Sequence, residues 1–293
     1  MERIYVYRPK AVAPNTNIIT YLSELGYGSS LLKRLKHTEN SVLLNDRPAM
    51  LNSHLKSGDI LKISLNEEGS SNVVPINIPI DIIFEDEDIL IVNKPAGMPI
   101  HPSMDHYEDT LGNAVAYHCL SAGQDIVFRA LTRLDRDTSG LVLIAKNIYV
   151  AGLLSKMMQN NEIKKTYLAL ASGLFQERIG TVNAPIARKE GSILERCVDY
   201  ENGADSITHY EVIKAFPDKN ISLLKLTLDT GRTHQIRVHM KHINHPLIGD
   251  FLYNPDYTYI SRQALHCSTM QFSHPIKKEP LLFEAPYPSD FIF

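Results

Sequence analysis

Arg133-Leu134-Asp135-Arg136-Asp137-Thr138-Ser139-Gly140, followed at once by Leu141-Val142-Leu143-Ile144, sets one carboxylate between two arginines at a tight turn that feeds an apolar run. A short continuous apolar run bounded by turn residues reads as a buried strand. A loop tip at the end of such a strand is where a rigid scaffold presents reactive groups. Opposite charges within a few ångströms favour the ionised form of an acid, which makes Asp135 the candidate nucleophile. The same residues also suit a purely structural turn, with Arg-Asp pairs capping it and Thr-Ser-Gly closing it. Asp137, two residues on, points elsewhere in an extended turn and is assigned that capping role.

Three further segments share this character of strand and turn. Ile89-Leu90-Ile91-Val92-Asn93-Lys94-Pro95-Ala96-Gly97 is a strand entering a proline turn, Lys164-Lys165-Thr166-Tyr167-Leu168-Ala169 is a strand, and Gly231-Arg232-Thr233-His234-Gln235-Ile236-Arg237 is a turn into a helix. In this order, with Arg262-Gln263-Ala264-Leu265-His266 and Phe283-Glu284-Ala285-Pro286 behind them, residues 80 to 293 resemble the RluA/RluD-type pseudouridine synthases. That family usually has His before Arg-Leu-Asp, where this chain has Thr132. The resemblance implies an α+β fold, a mixed and largely antiparallel sheet with flanking helices, and it implies an RNA uridine isomerase that uses no metal or redox cofactor. It places the nucleophile on Asp135 and a partnering arginine on Arg237, with Arg232 as the rival for that role. It puts Tyr167 against the target base, and Arg133 in the space a flipped uridine vacates. Lys94 and Pro95 are expected to shape the pocket floor. The sequence does not choose among attack on the base, attack on the sugar and proton abstraction, all of which need the ionised carboxylate.

Periodicity predicts a helix over 16–25 with Thr16 as cap and Gly26 as its end, a basic helix from Ser29 or Ser30, and a hairpin at Asn45-Asp46-Arg47-Pro48. A strand follows over 60–65. This pattern resembles the small RNA-binding domain that a small-subunit ribosomal protein shares with tyrosyl-tRNA synthetases. Lys33, Arg34 and Lys36 on the second helix are the candidate RNA contacts. Residues 1–66 are accordingly expected to form a small α/β RNA-binding domain, 67–79 a linker, with Asn66 to Asn72 flexible by composition, and 80–293 the catalytic domain. Later strands are expected over 89–93, 141–145, 165–171 and 222–229. Helices are expected near 110–119, over 148–159 opened by Asn147, and from Thr233 to about Asn244, the last with Arg237 in its second turn away from the apolar face.

The chain has 293 residues, 44% of them hydrophobic, and a formal net charge of −3. An acidic balance excludes a protein that grips nucleic acid over its whole surface, because phosphate neutralisation supplies most non-specific affinity. Basic excess is local: residues 1–65 carry nine Lys/Arg against five Asp/Glu. Three widely spaced cysteines argue against a disulfide framework, so a reducing cytoplasm is expected. No apolar signal region opens the chain and no stretch suits a bilayer. His234, His239, His242 and His245 lack the cysteine or carboxylate company of a zinc site, and the family resemblance implies that this stretch is structural or contacts RNA. The expected substrate is large-subunit ribosomal RNA, with transfer RNA as the alternative, and nothing in the sequence demands a partner chain. The rival classes are a non-catalytic RNA-binding or ribosome-assembly factor and a nucleoside hydrolase.

Overall fold

The computed structural model describes residues 2–67, 73–124 and 126–291. Residues 1–66 include β1 (Glu2–Tyr7), α1 (Ile18–Glu24), α2 (Ser29–His37), β2 (Val42–Leu44), β3 (Arg47–Pro48) and β4 (Leu61–Asn66). The strands form one antiparallel sheet in the order β1-β4-β2-β3. The β2/β3 hairpin turns at Asn45 and Asp46 with φ of 52° and 62°, left-handed values that Asn and Asp tolerate in two-residue hairpins. Gly26 ends α1 with φ +93°, as the sequence suggests, but the cap is Asn17, whose side chain accepts the Thr20 N–H, and not Thr16. Strand β1 is absent from the sequence reading. On it only Tyr5 is buried, so no clean apolar alternation marks it.

The remaining elements are β5 (Asp81–Glu85), β6 (Ile89–Lys94), α3 (Leu111–Ser121), β7 (Ser139–Ala145), α4 (Ile148–Gln159), β8 (Lys164–Ser172), β9 (Ile179–Asn183), β10 (Ile186–Arg188), β11 (Arg196–Val198), β12 (Ile207–Phe216), β13 (Ile221–Leu228), α5 (Gln235–His242), β14 (Leu265–Ser273) and β15 (Pro280–Glu284). A nine-stranded sheet runs β5-β6-β7-β14-β8-β13-β12-β9, with β15 added on β14. Every pairing in it is antiparallel except β7 with β14. Strands β6 and β7 are buried almost throughout, which is why they read as unbroken apolar runs instead of alternating ones. The parallel seam aligns His266 with Ser139 and Cys267 with Gly140. Gly140 has φ +114°, and a Cβ there would lie 2.2 Å from the Cys267 carbonyl oxygen, so glycine is required where the two strands close on each other.

Asn147 caps α4 as expected, accepting the Val150 N–H. Thr132 has a structural task, since its hydroxyl accepts the Leu143 N–H at 3.0 Å and pins the approach to the Arg133 turn against β7.

The segment between the two sheets departs from its expected character. Of the stretch expected to be flexible, residues 68–72 lie outside the described residues, but Asn66 ends β4 and Glu67 is 5% exposed. Its carboxylate takes the Arg129 guanidinium at 2.9 Å and the Ile148 N–H at 3.1 Å. Contacts with Arg129 and with the start of α4, invisible to composition, fix it. The contact extends to β1: Asp88 accepts from Tyr5 Oη at 2.9 Å and from Arg3 Nε and Nη2 at 3.1 Å. The Tyr27 and Tyr149 rings stack with centroids 4.0 Å apart.

Candidate active site

The turn that carries Asp135 is held from below by its backbone carbonyls. Lys94, buried at the end of β6, donates from Nζ to the carbonyls of Pro95, Met98 and Arg136 at 2.8, 2.9 and 2.8 Å. Burial pushes its ammonium down to about 7, with Asp137 and Asp135 pulling the other way. Arg262 donates to the Asp137 carbonyl at 3.2 Å. Two basic side chains thus bind the loop by its main chain and leave the Asp135 carboxylate available. The turn itself closes through Thr138 N–H to the Asp135 carbonyl.

The flanking arginines do not serve Asp135. Arg136 lies bidentate on Asp137 at 3.1 and 3.0 Å, so Asp137 holds its neighbour instead of capping the turn with its side chain. Arg133 donates across the site to the Thr233 hydroxyl at 2.6 Å. The cation of Asp135 comes from far along the chain: Arg237 Nη1 stands 2.9 Å from Asp135 Oδ2. The other edge of the same guanidinium grips Asp250, Nε to Oδ2 at 2.7 Å and Nη2 to Oδ1 at 2.8 Å. Burial alone would lower the Arg237 pKa, but Asp250 and Asp135 more than reverse it, so the group stays charged.

The sequence places Arg237 in the second turn of an exposed face. The helix instead begins at Gln235 after His234, whose φ of 58° is left-handed, and Thr233 is not its cap. Arg237 therefore sits in the first turn, and at 1% exposure it is buried. Every residue from Gln235 to Met240 is buried, so the helix offers no solvated face for periodicity to report. Arg232, the rival, donates from Nε to the Asp205 carbonyl at 3.2 Å and reaches the cavity without pairing with Asp135.

A cavity of about 60 Å³ lies over this pair, lined among others by Asp135, Tyr167, Arg232, His234, Arg237 and Leu265. Tyr167 sits on β8 opposite Cys267 of β14 and Leu226 of β13. Burial pushes its phenol far above the usual range, so it is a neutral aromatic surface. His234 Nε2 is 3.9 Å from Asp135 Oδ2, and Nδ1 shares a hydrogen bond of 3.0 Å with the Tyr253 hydroxyl. Burial lowers its pKa, with Asp135 acting in the opposite sense. A larger open groove of about 850 Å³ runs past Asp81, His266 and Asp290. It does not reach Asp135, and Arg262 engages its Asp290 carboxylate at 2.6 Å.

The histidines expected to be structural are separately engaged. His239 bonds Thr208 Oγ1 and the Ala184 carbonyl, and His245 bonds the Ser172 carbonyl. On α2, Lys33 and Lys36 are exposed while Leu31, Leu32 and Leu35 are buried. Arg34 departs from its expected role as a free contact, because its guanidinium is drawn to the Asn66 carbonyl and to Glu67. Asp250 escapes the sequence reading, while His234 and Arg262 enter it without a role beside Asp135. The only local signal for Asp250 is a glycine-aspartate pair at the end of the Pro246-Leu247-Ile248 run.

Comparison with known proteins gives one answer. The sequence profile of a family described as RNA pseudouridylate synthase matches residues 88–242. A Bacillus subtilis protein called uncharacterized RNA pseudouridine synthase YhcT is 39% identical over 253 residues, 86% of this chain and 83% of that one. Ribosomal large subunit pseudouridine synthase D of Haemophilus influenzae is 35% identical over 266 residues, 86% of this chain and 81% of the relative. Among solved structures, human RNA pseudouridylate synthase domain containing 1 superposes with a TM-score of 0.59 at 27% identity, covering 72% of this chain and 84% of that one.

Proposed function

This chain belongs to the RNA pseudouridylate synthase family and is an RNA uridine isomerase, and we propose from that premise that Asp135 is the carboxylate that acts on the uridine, held in place by Arg237. The observation that carries the reading is the 2.9 Å contact between Arg237 Nη1 and Asp135 Oδ2, made at the floor of a cavity whose wall is the neutral ring of Tyr167. In pseudouridine formation the bond from ribose C1′ to N1 breaks and one from C1′ to C5 forms. A proton leaves C5 and one is gained at N1. Atoms and electrons balance within the base, so the reaction calls for no external oxidant or reductant. An ionised carboxylate of fixed direction serves each of the available routes, attack on base, attack on sugar or proton removal.

The cavity has about 60 Å³, well below the roughly 300 Å³ or more of pockets that hold drug-sized ligands, and a nucleoside needs more room than it offers. The strap from Arg133 to Thr233 crosses the site, and its release enlarges the space. Arg133 then fills the gap a flipped uridine leaves in its RNA, where unstacking costs a few kcal/mol. Tyr167 receives the base, and Arg232 lies at the cavity for the adjoining phosphate.

The relatives named for the large ribosomal subunit support large-subunit ribosomal RNA as the substrate. Lys33 and Lys36 on α2 supply basic contacts for structured RNA in an N-terminal RNA-binding domain over residues 1–66, with 80–293 as the catalytic domain. The protein is taken to act as a monomer. Three free cysteines support a cytoplasmic location, and no helix among the described residues is long and apolar enough to cross a membrane.

The test is Asp135→Asn, which removes the charge at nearly constant volume. Release of tritium from an RNA labelled at uridine C5 should vanish while RNA binding persists. Turnover close to that of the unmodified protein sinks the assignment, and free uracil in place of pseudouridine would make the protein a nucleoside hydrolase. Mapping pseudouridines in cells with and without the protein decides between ribosomal and transfer RNA.

A further inference from the structure

We propose that Arg188 and Arg196, facing each other across the hairpin of β10 and β11, form a clamp for one phosphodiester of the RNA strand beside the target uridine. The inference deepens the reading of the chain as an RNA uridine isomerase, and it takes the cavity over Asp135 as the place where the base is received.

The two strands pair antiparallel, with Ile186 opposite Val198, Ala187 opposite Cys197 and Arg188 opposite Arg196. Residues directly opposite share a face, and so do residues two apart along a strand. Ile186, Val198, Arg188 and Arg196 therefore lie on one face of the hairpin. The apolar half of that face packs on Val238 of α5 and on Tyr253, so the arginines continue, toward the tip, the side that meets the active-site helix. The Arg196 N–H donates to the Tyr253 hydroxyl at 2.8 Å, and the same hydroxyl shares its 3.0 Å hydrogen bond with His234 Nδ1. His234 lines the cavity. Burial, and after it the charges of Arg237 and Arg196, lower the His234 pKa against the pull of Asp135 and Asp250, which puts the Arg196 charge near the edge of the cavity.

Two observations point to an anion. Like charges directly opposite each other on a sheet repel, and among the described residues neither guanidinium donates a hydrogen bond or meets a carboxylate. Glu195, the acid next to Arg196, is taken by Lys189 at 2.6 Å. Independently, Arg196 Nη1 is closed off from solvent and has no acceptor among the described residues. Buried polar atoms are paired as a rule, and a charged group left unpaired is the costlier kind. A phosphate answers both, because its charge offsets the repulsion and its oxygens suit the planar guanidinium forks. Arg188 is exposed, which leaves the pair open to an incoming strand, and the Lys241 ammonium, 5.4 Å over the Tyr253 ring, adds a third positive charge nearby. The phosphate is a diester and not a free anion, because the cavity beside it takes a nucleotide still joined to its chain. With Arg232 at the cavity for the adjoining phosphate, the clamp holds a further one and sets the path of the strand.

The probe is a fluorescently labelled oligouridylate, whose dissociation constant is measured against salt for the full chain, Arg188→Gln, Arg196→Gln and the double variant. Each phosphate neutralised on a single strand contributes about 0.7 to the slope of log K against log salt. The double variant should lose about that much slope and bind about tenfold more weakly. Because both forks hold the same phosphate, the two single losses should sum to more than the loss in the double variant. An unchanged slope in the double variant, or single losses that simply add, overturns the clamp. Arg196→Lys keeps the charge and should keep the slope; a fall as large as in Arg196→Gln assigns the effect to hairpin packing and also overturns it.

Folding is not at risk, since the variants remove a like-charge pair, and their melting temperatures should not drop; a clear drop makes the arginines part of the fold and refutes the proposal. On C5-tritiated RNA the double variant should raise KM about tenfold and leave kcat within about twofold, whereas a lower kcat at unchanged KM would place the pair in the chemistry instead. Inorganic phosphate is the second probe: stabilisation that the double variant loses, beside an unchanged oligouridylate slope, makes this a free-anion site and overturns the RNA reading. Asp135→Asn should bind with the parent slope. Turnover in that variant removes the assignment of Asp135 and leaves the clamp standing, whereas a parent slope in the double arginine variant removes the clamp alone.

Discussion

Replacing Arg237 with lysine keeps the positive charge and removes the fork, and so separates what charge does from what shape does. The guanidinium makes three charge-assisted hydrogen bonds, two to Asp250 and one to Asp135. An ammonium is a point charge on a flexible stem and cannot lie bidentate on one carboxylate while reaching another. The buried Asp250 is the stronger claimant, because leaving a buried charge without its partner costs about 3–5 kcal/mol. Lysine should therefore settle on Asp250, and Asp135 loses one charge-assisted hydrogen bond worth about 1.5–3 kcal/mol. If that bond persists into the transition state, conversion slows about 10- to 150-fold, at about 1.4 kcal/mol per factor of ten. Arg237→Ala should be worse in both respects, destabilised by the orphaned Asp250 as well as slowed. The assay is single-turnover release of tritium from uridine C5, run well below the melting temperature of each variant. An Arg237→Lys protein within twofold of the parent rate would refute the requirement for a fork.

Gly140→Ala should destabilise the chain by about 3 kcal/mol or more, through a disallowed φ and a backbone clash at the β7/β14 seam; a thermal melt unchanged from the parent would show that the seam relaxes easily. Burial holds the His266 imidazole down at about 4, below its unfolded value, so the unfolded chain binds more protons between about pH 6.5 and 4 and stability must fall as pH drops through that window. The loss approaches about 3 kcal/mol at about 1.4 kcal/mol per unit, and His266→Gln should flatten that part of a denaturant-midpoint series. Arg133→Ala should harm conversion of a uridine held in a stem more than one in a flexible strand, since insertion compensates only a base that leaves a stack; equal losses on the two RNAs refute an insertion role.

Where function depends on residues adjacent in sequence, the chain could be read directly. The Asp135 turn, the strands β6, β7 and β8 and the Asn147 cap all follow from local apolar runs and turn chemistry. Failures cluster where the deciding partner is remote. Asp135 has two arginines within two residues, yet Arg133 reaches across the site to Thr233 and Arg136 lies on Asp137, and the true partner is 102 positions away. Glu67 sits in a polar stretch that composition reads as solvated, but the Arg129 and Arg34 guanidinium groups and the Ile148 N–H claim it. Helix α5 is buried on all sides over its first two turns, so its apolar stripe of Ile236, Met240 and Ile243 told nothing of where Arg237 points. Asp250 could not be foreseen at all, because a carboxylate acquires its meaning only from the guanidinium packed against it.

The junction of the two sheets bears on which targets the enzyme can accept. A module on a free tether samples many separations, and its binding only raises the local concentration of RNA. Here Asp88, 1% exposed, is satisfied by Arg3 and Tyr5 of β1, and the Tyr27 ring lies on Tyr149 of α4. If the lysines of α2 grip RNA as proposed, they and the cavity above Asp135 become the two jaws of a caliper with a set gap. On that proposal an RNA of the right local sequence but the wrong spacing between its gripped helix and its uridine would be turned away by geometry.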